Sequence, residues 1–146
     1  MIGRLQIRGL RHSEGATLVE FGLTILVLLI LVAGIIEMGR LVLAYTTVAN
    51  SARAGARYAI VHGGDLTSGA SSSADTSAVK TVVKNYATAG TIQLVDSNIT
   101  VTYSPDNLAG STVTVKVVYT YSPMFGYFSS LLGVRLGSTS QGVITY

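Results

Sequence analysis

The chain has 146 residues, 49% hydrophobic and only 12% charged, with a mean hydropathy of +0.51. Soluble domains carry about 25% charged residues, so the deficit points to a membrane or polymer setting with room for one domain and one spanning segment. The lack of cysteine excludes disulfides and thiolate metal sites, and most of the net charge of +3 sits in residues 1–15, leaving a near-neutral body with no basic patch for nucleic acid.

Residues 1–15 read as a basic leader in which Arg4, Arg8 and Arg11 face Glu14. Ala16–Ile36 follows as an apolar run with Glu20 its single charge. At 1.5 Å per residue it spans about 31 Å as a helix, matching a hydrocarbon core of about 30 Å. A charged side chain within such a helix costs roughly 2.5–3.5 kcal/mol on insertion scales, so Glu20 reads as functional. The leading arginines favour a cytoplasmic N-terminus and an exported C-terminal part. A secretory signal peptide would share the basic and apolar regions, but cleavage should then follow the apolar run at an A-x-A-like site. Leu31–Glu37 offers no good one. An uncleaved signal anchor stays open.

No proline interrupts residues 16–61, so the helix is expected to continue beyond the membrane. Leu41, Val42, Tyr45, Val48, Ala49, Ala52, Ala56, Ala59 and Ile60 fall within an arc of about 120° at 100° per residue, giving one buried face. Gly22, Gly39 and the Glu37–Arg40 boundary are places where the helix could bend. Arg53 and Arg57 run along one edge at i, i+4, either as a solvated edge or as a partner contact. Gly63-Gly64 supplies a stop.

The segment 37–146 is expected to be the exported domain. Asp65–Asp75 reads as a polar loop. A second helix is expected from Asp75–Ser77 to about Thr88, burying Val79, Val82, Val83 and Tyr86 and exposing Lys80 and Lys84, with Gly90 ending it. Ile92–Val95 reads as a short edge strand. Strands are expected around Ile99–Tyr103, at Thr112–Tyr121 and at Leu136–Tyr146, with the apolar Pro123–Leu132 interrupting the last pair. The expected fold is α+β: a long N-terminal transmembrane helix, a second helix, and a three- to four-stranded, mainly antiparallel sheet covered by the alanine stripe.

Enzyme chemistry is not indicated. His62, Asp65 and Ser68 are close in sequence, but a Gly-Gly loop promises no triad geometry. No phosphate-binding or dinucleotide fingerprint occurs. No cofactor or metal is expected.

Glu14-Gly15-Ala16-Thr17-Leu18-Val19-Glu20-Phe21 resembles the start of type IV pilins and pseudopilins, and Val48–Ala59, with its AR-x-GARYA stretch, is similar to the TadE-like family of tight-adherence (Flp pilus) pseudopilins. The resemblance covers residues 15–61. It implies a pilin-like fold and cleavage between Gly15 and Ala16 by a membrane prepilin peptidase, leaving segments 16–36 and 37–146. It implies that Glu20 meets the new Ala16 ammonium of a neighbouring subunit and sets register. It also implies an inner-membrane, single-pass minor subunit that could enter an extracellular pilus. Its partners would be sister pseudopilins, the major Flp pilin and an assembly platform coupled to an ATPase. Major Flp pilins are much shorter and usually carry Glu-Tyr, where this chain has Glu20-Phe21. The alternative is an uncleaved, membrane-anchored binding module.

Overall fold

The computed structural model describes residues 11–62, 73–125 and 133–145. They form helix α1 (Arg11–His62), helix α2 (Ser73–Ala89), a 3-10 turn at Asp96–Asn98, and strands β1 (Ile99–Ser104), β2 (Thr112–Thr120) and β3 (Arg135–Val143). The expected Gly63-Gly64 stop, most of the Asp65–Asp75 loop and residues 126–132 of the apolar segment lie outside the described residues, as do Asp65, Ser68 and the first ten residues of the leader. The chain divides into two compact units between Met38 and Gly39.

In the first unit α1 is apolar all round. The large side chains from Leu18 to Ile36 are exposed, and the helix is long and apolar enough to cross a membrane. An unbroken Leu/Ile/Val run with no polar face is what a lipid solvent favours.

In the second unit the same helix turns amphipathic. Ala44, Val48, Ala52, Ala56 and Ala59 are buried, together with Thr47 and Ser51. The alanine stripe covers the sheet as expected, but two bulky members of the predicted face are not inside: Val42 is 61% and Tyr45 55% exposed. The buried face is rotated toward Ala44, Thr47, Ser51 and Gly55, residues that hydropathy undervalues. The approach there is close. A Cβ on Gly55 would collide with Val83 of α2 and lie 3.4 Å from Val115 of β2 and from Val79 of α2. Ser51 tolerates burial because its hydroxyl donates to the Val48 carbonyl at 2.9 Å.

Helix α2 begins and ends within two residues of expectation, and its ridge is Val79, Val83 and Ala87. Tyr86, expected in the core, is largely exposed, and Val82 is half-buried. A ridge at i, i+4 interlocks with a neighbouring helix better than the broader face that hydrophobicity alone selects. The helix closes with Thr91 N–H on the Thr88 carbonyl at 3.0 Å and Ile92 N–H on the Ala87 carbonyl at 2.9 Å, a Schellman closure.

The sheet has strand order β1-β2-β3, antiparallel throughout. Val113, Val115 and Val117 of β2 are fully buried, and Thr112, Thr114 and Lys116 alternate with them. The fourth strand considered at Ile92–Val95 does not form. Val95 N–H donates to Asn98 Oδ1 at 3.0 Å, so the backbone turns into the 3-10 segment rather than pairing. Ile92 and Leu94 still reach the core. Lys84 of α2 holds Asp96 at 2.7 Å and pins that turn. Strand β3 stops at Val143 rather than Tyr146. Ile144 pairs with Gly110 and Ser111, and Thr145 N–H crosses to the Ile60 carbonyl of α1 at 3.1 Å.

Candidate assembly site

Gly15, Ala16 and Glu20 lie within α1 and are exposed. The Gly15–Ala16 bond is therefore helical, with described helix on both sides. Glycine inside a helix costs about 0.5–1 kcal/mol relative to alanine. Among the described residues nothing demands it here, since a Cβ on Gly15 would meet none of their atoms within 4 Å. Gly22, Gly34 and Gly39 are equally open. By contrast, Gly55, Gly90 and Gly142 in the second unit are each required by a neighbouring side chain.

Glu20 makes no ion pair among the described residues. Its carbonyl accepts the Thr24 hydroxyl at 2.8 Å, a back-bond that leaves its carboxylate uninvolved. Ala16 is one helical turn earlier on the same side, because residues four apart stack along a helix.

Arg53 and Arg57 are both exposed on α1, one turn apart. Arg53 Nη1 donates to Asn50 Oδ1 at 3.4 Å, a long contact that leaves most of its donors to solvent. These arginines belong to the second unit and Glu20 to the first.

Sequence reasoning missed the burial of Glu37, which is only 1% exposed. In the sequence Glu37 marks only a boundary at which the helix could bend, and single-residue polarity carries no signal for such burial.

His62 stacks on Tyr58 with ring centroids 4.1 Å apart, and its Nδ1 lies 3.0 Å from the Tyr58 carbonyl. That places the proton on Nδ1 and uses it to close the helix end. Among the described residues no three His, Cys, Asp or Glu side chains group as a metal site.

Residues 15–57 match the family described as TadE-like protein. The match covers less than a third of the chain, and all of it lies on α1. No curated protein and no solved structure matches the chain.

Proposed function

On the premise that residues 15–57 place the chain in the TadE-like family, we propose that it is a minor pilin or pseudopilin of a Tad (Flp-type) pilus system. It is anchored by a single pass in the inner membrane, with the second unit exported. A prepilin peptidase cuts after Gly15, and the mature chain begins at Ala16. Its role is structural or initiating rather than catalytic. Its partners are sister pseudopilins, the major Flp pilin and the membrane platform that an ATPase drives.

The observation that carries this reading is that the family match begins at Gly15 and runs through the part of α1 whose apolar side chains are exposed among the described residues. That part holds Gly15, Ala16 and Glu20, a glycine without an internal use and a carboxylate inside an apolar helix. In a low-dielectric layer a carboxylate and an ammonium attract strongly, and each offsets part of the other's desolvation. Glu20 paired with a neighbour's Ala16 ammonium would set the register between subunits.

The test is the N-terminus of the membrane-extracted chain, by intact mass and N-terminal peptide mapping, with and without the peptidase. A start at Ala16 that depends on the peptidase is the expected result. A start at Met1 in its presence would sink the pilin reading and leave an uncleaved anchored module.

A further inference from the structure

Strand β3 lies at an edge of the sheet, and the hydrogen bonds at its two ends fix which backbone groups face outward. Before the strand, Tyr121 N–H donates to the Val134 carbonyl at 3.0 Å; after it, Ile144 N–H donates to the Ser111 carbonyl at 2.9 Å. In an antiparallel ladder, pairs that exchange bonds alternate with pairs that do not. Carried through the register from Thr112↔Val143 to Thr120↔Arg135, both ends agree. Leu136, Ser138, Ser140 and Gly142 bond to β2, while Arg135, Gly137, Thr139, Gln141 and Val143 turn their backbone groups outward. Thr145, the next residue of the outward set, gives its N–H to the Ile60 carbonyl of α1 at 3.1 Å.

The rest of that set is open. Arg135, Gly137, Thr139, Gln141 and Val143 are all exposed. Gly137 has no side chain, so its exposure is that of the backbone itself. Among the described residues no hydrogen bond beyond the β2 ladder occupies any of them. Sheets commonly blunt an edge with a short strand or a proline. The opposite edge does so: β1 has six residues and is followed by Pro105. Strand β3 has nine residues, no proline, and one charge at its first position. It presents an edge of about 30 Å at 3.4 Å per residue.

We propose that this edge takes an extended strand from a different subunit of the assembly, one that places an aspartate or glutamate opposite Arg135. Backbone chemistry selects a strand as the occupant, because only a strand meets outward groups at every second residue. Charge selects its composition. Arg135 has no ion pair among the described residues, and opposite charges across paired strands attract. Strands β1, β2 and β3 contain no aspartate or glutamate, so no strand of a second copy supplies that carboxylate. The inference rests on the chain being a subunit of a larger assembly, and not on cleavage after Gly15.

The experiment is hydrogen exchange resolved to single amides, on the full chain in detergent and in membranes that hold the whole pilus system. In detergent, Ser138, Ser140 and Gly142 should be protected, and Gly137, Thr139 and Gln141 should exchange freely. In the assembled membranes the second set should slow by about tenfold or more. T139P removes one outward N–H and leaves the β2 ladder its bonds, so it should abolish the slowing at Gly137 and Gln141. A photo-crosslinker at Gln141 should join the chain to an extended, acidic segment of another protein, and R135E should weaken that adduct. Protection of the outward set in detergent or its free exchange in the assembled membranes would overturn the proposal. So would an adduct to a second copy, read from isotope-mixed chains, or to a segment without a carboxylate. Should T139P fail to fold by thermal melt, R135E decides: a weaker adduct supports the edge, and an unchanged one overturns it. A mature start at Ala16 without slowing defeats this inference alone. Slowing on a chain that starts at Met1 defeats only the pilin reading.

Discussion

Gly90 lies against Thr47 so closely that a Cβ on it would collide with the Thr47 side chain, coming within 2.7 Å of its Oγ1. The left-handed residue at this helix end is not the glycine but its neighbour Thr91, with φ of 65°. Gly90 is thus required by proximity to α1 rather than by its own backbone angle. Thr47 is buried and β-branched, so its side chain has little freedom to retreat. Gly90→Ala should destabilise the second unit by about 1–3 kcal/mol, the usual range for overpacking. Thr47→Ala in the same chain should recover much of that loss. Denaturant midpoints of the two single variants and the double variant would check it; additive effects would contradict the contact.

The opposite behaviour is expected at Gly15, where a Cβ would meet open space. Gly15→Leu should leave the fold intact and helicity unchanged or slightly raised, because no contact among the described residues is lost and leucine is the better helix former. Processing should be abolished, read as a start at Met1 in the presence of the peptidase. Normal processing of this variant would separate the glycine from recognition of the cut site.

Glu20→Gln removes the charge while keeping the shape. Insertion should improve, since the cost of roughly 2.5–3.5 kcal/mol for a charged residue is relieved. Cleavage should proceed, and pilus output should fall by about tenfold if the carboxylate contributes a pair of about 1.4 kcal/mol at assembly. Quantifying surface pili beside the mature N-terminus checks it. Normal output with normal cleavage would remove register from the role of Glu20.

Arg53 and Arg57 are exposed, so replacing both with glutamine should change stability by no more than about 0.5 kcal/mol. A partner contact would appear as reduced recovery of sister subunits after crosslinking, with the fold intact. Unchanged recovery would return the pair to the status of a solvated helix edge.

Acid should act through two surface aspartates. The hydrogen bond and charge of Lys84 hold the Asp96 carboxyl below its ordinary value of 3.8. The Ser111 hydroxyl, with the Leu108 N–H, does the same for Asp106. A carboxyl depressed on folding contributes stability that is fully present above its unfolded value and is lost as pH falls through its folded one. Urea midpoints should therefore be insensitive to these groups at neutral pH and decline below about 3.8. The decline should be shallower in Asp96→Asn, which has no proton to take up. An identical decline in that variant would show that the Lys84 contact is not formed in solution.

The amino-acid order alone determined the features that depend on one element at a time. The apolar run from Ala16, the single carboxylate at Glu20, the unbroken helix and the period-2 alternation of Thr112–Tyr121 are local patterns, and the structure carries all four. Tertiary structure decided what depends on how closely two elements approach. Tyr45, Val42 and Tyr86 look like core by hydropathy but remain outside. Ser51, Thr47 and Gly55 look like surface or filler but form the buried face. The reason is steric: α2 and the sheet come near the backbone of α1, and at that distance side-chain volume outranks hydrophobicity. The turn at Val95–Asn98 follows the same logic, since Asn98 and Lys84 supply the partners that an edge strand would have lacked. Glu37 is buried for a reason no local pattern contains, while Gly15 and Glu20 are exposed and no contact among the described residues requires Gly15 to lack a side chain or uses the Glu20 carboxylate.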